Sequence, residues 1–302
     1  MRSLRPALLV CSALFLAASV SAQSSSTSTP SASSDPQAVA LLQKSLAALT
    51  NGTQITDVTL TGSAQRTAGS DNETGSATLE ATALGDSRVE LSFASGNRTE
   101  IRNHAGVPSA IALPPGVNLP AGVVPGPQPV GEWIGPDGAP HAMASHNVMT
   151  DAAWFFPALT LQRLAALQTN IFSYVGQETH DGVTVLHISA IQPYTPPVGS
   201  SANNIPLLEA PPAQIIAHAS EMDLYIDPNS FLPVALDFNQ HPDNNALVNI
   251  PVEIRFSVYK TLSGVMAPME VQKYFNGSLL LDLQFTSVTL NSGLPASAFA
   301  LQ

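Results

Sequence analysis

The chain holds a single cysteine in 302 residues, Cys11, and that one lies inside an apolar run near the start. A disulfide framework and a thiolate-based zinc site are both excluded. Charge is scarce as well: Asp, Glu, Lys and Arg together make up 11% of residues, and aromatic side chains 6%. Lys and Arg number 11 against 22 Asp and Glu. So little positive charge argues against nucleic acid, polyphosphate and anionic lipid headgroups as partners, since each needs a basic patch. Motifs that carry chemistry are missing too. There is no G-x-S-x-G elbow, P-loop, H-E-x-x-H pair or calcium-loop pattern.

What is present begins with a three-part leader. Arg2 and Arg5 form a basic start, Ala7 to Ala18 an apolar run, and Ser19-Val20-Ser21-Ala22 a small-residue cleavage site. This reads as a secretory signal peptide over residues 1–22, too short for a membrane span. Val10 stands where lipidation of Cys11 would need a small residue. Without Arg2 and Arg5, 9 basic residues face 22 acidic ones, a net charge of −13. The expected location is periplasmic or secreted. Residues 23–34 (QSSSTSTPSASS) are a polar low-complexity linker with nothing to bury.

A helix is expected over 36–49: Asp35 caps it, Pro36 suits its first turn, and Val39, Leu42, Leu46 and Leu49 recur at helical spacing. From Ile55 the period changes to two. Val58 and Leu60, then Ala77, Leu79 and Ala81, then Val89, Leu91 and Phe93 alternate with polar residues, and Arg98 to Asn103 adds a short strand. Glu80, Glu90 and Glu100 fall on positions that this alternation assigns to water. A proline-punctuated apolar stretch follows (105–129), then a helical segment over 151–168 that contains Trp154, Phe155 and Phe156 and is interrupted by Pro157. Strands resume from Ile171, with a second proline-rich stretch at 194–212. The last hairpin turns at Asn276-Gly277, whose residues accept the positive φ of a type I′ turn, and Leu279, Leu281, Leu283 and Phe285 form an apolar ladder after it.

Seven histidines invite a metal hypothesis. His141 and His146 are badly spaced for one helix face, and His180, His187, His218 and His241 are scattered without carboxylate companions in the sequence. No metal and no cofactor is expected. The cluster Trp154, Phe155, Phe156, Leu159, Leu161 and Leu164 has two readings. It is ordinary core between helix and sheet, or part of it lines a pocket for an apolar ligand. Trp133, Trp154, Phe155, Phe156, Leu159 and Leu164 are the candidate cavity and lid residues. The two proline-rich stretches are either lids or passive insertions.

The order of elements, with the turn Tyr225-Ile226-Asp227-Pro228 leading to Leu232-Pro233-Val234 and the ending Asn291-Ser292-Gly293-Leu294-Pro295-Ala296-Ser297-Ala298-Phe299, resembles the periplasmic lipoprotein-carrier superfamily (LolA, LppX and RseB-like proteins). The resemblance implies an α+β fold over 35–302: one strongly curved antiparallel sheet, an incomplete barrel, with helices packed on its concave face. It further implies a hydrophobic cavity suited to a lipid or lipoprotein acyl chain; with no catalytic motif in the sequence, no catalysis is expected. The expected protein is a monomeric exported binding protein, with transient membrane or envelope-protein contact. The alternatives are a cell-envelope interaction or sensor module with a filled core, and a hydrolase with dispersed residues.

Overall fold

The computed structural model describes residues 33–106, 128–150, 152–192 and 212–302. Residues 1–32 lie outside them, as do most of both proline-rich stretches (107–127 and 193–211). Helix α1 spans Pro36–Thr50. Strands β1 (Asp57–Ala68), β2 (Asp71–Thr82), β3 (Ser87–Phe93), β4 (Gly96–Gly106), β5 (Gln128–Ile134) and β6 (Pro140–Ala142) follow. A 3₁₀ turn (Ser145–Val148) and helix α2 (Pro157–Ala166) lead to β7 (Ile171–His180) and β8 (Val183–Ile191). Helix α3 (Pro212–Ala219) precedes β9 (Met222–Ile226), β10 (Pro233–Gln240), β11 (Ile250–Leu262), β12 (Val265–Phe275) and β13 (Ser278–Leu290).

All 13 strands form one sheet in the order β6-β5-β4-β3-β2-β1-β13-β12-β11-β10-β9-β8-β7. The chain starts mid-sheet at β1 and steps outward by hairpins to β6. It then crosses by α2 to the opposite edge, and β7 to β13 step inward until β13 pairs antiparallel with β1. No pairing joins β6 to β7 among the described residues, so the barrel stays incomplete.

The sheet curls around α1 and α2. Ala38, Leu41, Leu42 and Leu49 of α1 share one buried cluster with Leu159 and Leu161 of α2 and with Leu60, Leu79, Leu91, Leu224, Leu236, Ile254, Val271 and Leu283. The curl follows from the extent of that cluster as well. Six strand spacings separate β3 from β10, roughly 29 Å in a flat sheet, yet Leu91 on β3 and Leu236 on β10 belong to the same buried cluster around the helices. A right-handed twist accumulated over many strands allows such closure.

Local signals explain the ends of elements. The Asp35 carboxylate accepts a hydrogen bond from the Gln37 N–H at 2.7 Å, and Asn51, left-handed at φ 47°, donates its N–H to Ala47 O. Asn276 (φ 50°) and Gly277 (φ 75°) make the expected tight turn. One expectation is corrected: α2 begins at Pro157, where the helix was expected to be interrupted, and Ala152–Phe155 form a turn. A residue before proline is pushed out of the helical region, and Phe156 sits at φ −136°, ψ 88°. Proline therefore opens this helix.

Gly62 lies at the irregularity where β1 meets β13, and a Cβ there would come 2.0 Å from Gln284 O. The Gly62→Ala substitution should lower stability by about 1–3 kcal/mol, read as an earlier urea midpoint. An unchanged midpoint would show that the two strands can part without cost.

Candidate functional site on the concave face

Registers fix which charged residues look inward. Glu100 pairs with Val89, Arg98 with Leu91 and Arg102 with Ser87, so all three share the concave face with the apolar residues of β3. Arg66 and Glu73 pair with each other on the same face, and Lys273 pairs with Leu281 and Ile254. Arg66 and Arg98 both approach Glu73, at 3.5 and 3.6 Å. Arg102 Nε donates to Glu100 Oε1 at 3.0 Å, and its Nη1 donates to Thr150 O at 3.3 Å. Two carboxylates thus stand against four cations. In a chain of net charge −11, the concave face is locally positive. This corrects the expectation that Glu100 faces water, and qualifies the exclusion of anionic headgroups, which rested on total charge alone.

Lys273 is 6% exposed, and its ammonium sits 4.5 Å from the centre of the Trp154 ring. Burial pushes its pKa down, with Glu100 opposing and Arg102 adding to the fall. Burial favours the neutral form of Glu100, but Arg102 and Lys273 outweigh it and hold the carboxyl below its ordinary value. Trp154 is 1% exposed, and its Nε1–H has no hydrogen-bond partner among the described residues. A desolvated cation therefore lies over the ring whose N–H is an orphan donor.

The six candidate residues are not brought into one lining. Phe155 and Phe156 are fully buried and Leu159 nearly so, packed with Trp154 in the main core. Leu164 borders a separate cleft of about 30 Å³ with Met149, Leu167, Ala190 and Met222. That is room for a water or two, far below an acyl chain. Trp133 is 46% exposed on β5. It pairs with Glu100 and stacks on His141 with ring centres 4.1 Å apart. Sequence reading missed Glu100, Arg102 and Lys273, because the influence of a β12 charge on β4 residues leaves no mark in local spacing.

The convex face holds a second polar group. His180 Nε2 lies 3.1 Å from Glu253 Oε1. His187 meets Asp223 through Nε2 and Glu178 through Nδ1, each at 2.9 Å. Burial opposes protonation of His187, but those two carboxylates outweigh it and raise its pKa. His104 reaches Asp86 at 2.7 Å. The expectation that His180 and His187 lack carboxylate companions is therefore corrected: Glu253 lies 73 residues from His180, at the end of β7 and four strands away in the sheet, and Asp223 lies 36 residues from His187, on the adjacent strand. His180, Asp237 and Glu253 bring three ligand-type atoms within 4.8 Å of one another.

No family model and no curated protein matches the sequence. Solved structures do. The chain is similar to an outer membrane lipoprotein-sorting protein domain from Vibrio parahaemolyticus (10% identity, TM-score 0.47), with 87% of this chain and 96% of that one covered. It is similar to a DUF1329 family protein from Desulfovibrio piger (12%, TM-score 0.49; 88% and 98% covered). It is also similar to a LolA superfamily protein from Nitrosomonas europaea (10%, TM-score 0.48; 87% and 97% covered). These are likenesses of fold.

Lys273 carries the test of this site. Removing it leaves Glu100 paired with Arg102, so Lys273→Met orphans no charge and should stabilise the protein by about 1 kcal/mol or more. A lysine with lowered pKa loses its proton in the folded state first. Parent stability should then rise as pH climbs toward the ordinary lysine value of ~10.4, and the variant should lose that rise. Melting curves between neutral and alkaline pH check both. A destabilised variant with the rise intact would contradict the assignment.

Proposed function

We propose that the chain is an exported, non-enzymatic binding protein that holds an amphipathic apolar ligand with an anionic head on the concave side of its half-barrel. Export rests on the leader-like residues 1–22 and the polar stretch 23–34, which precede a single binding domain over 35–302. One observation carries the ligand class: the buried ammonium of Lys273 beside the unpartnered Nε1–H of Trp154. A carboxylate or phosphate would satisfy both, and the apolar residues of β1, β2, β12 and β13 would take the hydrocarbon. No helix among the described residues is long and apolar enough to cross a membrane.

In the structure described, Trp154, Phe155 and Phe156 fill the space the tail would occupy. Binding would therefore displace the turn Ala152–Phe155, which is held through Ala153 O by the Phe156 N–H at 2.8 Å and the Thr160 hydroxyl at 3.1 Å. The same burial favours a second reading, an interaction module whose core stays filled and whose partner is a protein.

Organic extraction of the purified protein followed by mass spectrometry separates the two. A stoichiometric acidic amphiphile supports the binding protein, and its loss from Lys273→Met protein supports the head-group contact. A blank from folded protein, together with no binding of an added fatty acid, would overturn this reading in favour of the filled module.

A further inference from the structure

Three adjacent strands place carboxylates side by side on the convex face. Asp237 on β10 pairs directly with Asp223 on β9 and with Glu253 on β11. Like charges directly opposite one another weaken a sheet, so the row needs a compensating cation. The outer two have one. Asp223 takes His187. Glu253 is gripped by Arg255, with Nε donating to Oε1 at 2.6 Å and Nη2 donating to Oε2 at 3.0 Å.

The middle one, Asp237, has no ion pair of its own among the described residues, only the field of the nearby His180 ring. Its Oδ1 is buried and has no hydrogen-bond partner among them. Burial first, and then Glu253, push its pKa up to about 7. Tyr225 stacks on His180 with ring centres 3.9 Å apart, which fixes that imidazole in place next to the orphan oxygen. Beside the row opens a surface pocket of about 260 Å³, lined by Glu221, Asp223, Asp237 and Glu253.

From this geometry we infer that His180, Asp237 and Glu253 form a binding site for a divalent transition-metal ion of the zinc class. One imidazole nitrogen and two carboxylate oxygens within 4.8 Å of one another suit zinc better than calcium, which prefers oxygen donors alone. The ion would supply the positive charge that Asp237 lacks. Arg255, itself ion-paired with Asp181, would orient Glu253 from behind. Remaining coordination positions would open to the pocket, where Asp223 and Glu221 keep the field negative. The site lies on the face opposite the concave one, so it is independent of the ligand proposed above.

Titration calorimetry of the full chain with Zn²⁺ at neutral pH, after chelator treatment, tests the inference. One saturable site and a raised melting temperature are expected. Asp237→Asn and His180→Gln should each lose both responses. Asp237→Asn, which removes a like-charge contact, should fold with a metal-free melting temperature no lower than the parent. His218 and His241 form a separate pair of rings 5.2 Å apart, so His218→Gln serves as the control and should bind Zn²⁺ as the parent does. Absence of saturable binding would overturn the site. So would binding that survives both ligand variants, or that disappears in His218→Gln. Calcium binding that ignores His180→Gln would overturn the nitrogen ligand.

Discussion

The pairing of β1 with β13 is the constraint on which the rest depends. Every other neighbouring pair joins strands that are consecutive in the chain, but this seam joins Val58 to Leu290 and Arg66 to Leu281 across more than two hundred residues. Asp57 locks it. The carboxylate accepts hydrogen bonds from the Ser292 N–H at 2.7 Å, the Ser292 hydroxyl at 2.8 Å and the Gly293 N–H at 3.0 Å. Burial alone would raise the pKa of Asp57, yet these bonds prevail and hold it below the ordinary aspartate value. Without the seam there would be two separate meanders and no continuous concave wall. With it, β4 and β12 can face each other across the helices, and the charges of Glu100, Arg102 and Lys273 can meet.

That meeting is what gives the proposed anionic head a place in a strongly acidic protein. Much of the negative charge is spread over the outer strand positions. The basic residues are few, but Arg66, Arg98, Arg102 and Lys273 are concentrated inward, where the lower dielectric makes each count for more. Buried charge of this kind is weak evidence for stability, since apolar replacements of similar volume often do as well or better. Its presence under an aromatic turn therefore favours a binding role over a structural one.

Much of the architecture was legible in the sequence because the governing signals are local. The Asp35-Pro36 start of α1, the Asn276-Gly277 turn and the alternation through β1 to β3 and β13 all act over a few residues. The misreadings have definite physical causes. On β4 the alternation is inverted: Ile101, the apolar residue, faces outward and is buried there, while Arg98, Glu100 and Arg102 face inward. The C-terminal tail docks nearby on that outer side, through Asn103 Nδ2 donating to Phe299 O and the Gln302 N–H donating to Glu132. Alternation shows that a strand has two faces without saying which is concave. Strands β5 and β6 are short and contain Pro129, Gly131 and Pro140, so their pattern was too weak to register beside the proline-rich stretch. The row Asp223–Asp237–Glu253 was invisible because only strand register makes neighbours of them.

The central claim is that the concave face recognises an anionic head beside Trp154. The chain has 2 tryptophans, so Trp133→Phe leaves Trp154 as the sole indole reporter. Its emission should change saturably when a long-chain fatty acid is added, and much less with the alcohol of equal chain length. Equal responses to acid and alcohol, or none to either, would contradict the account.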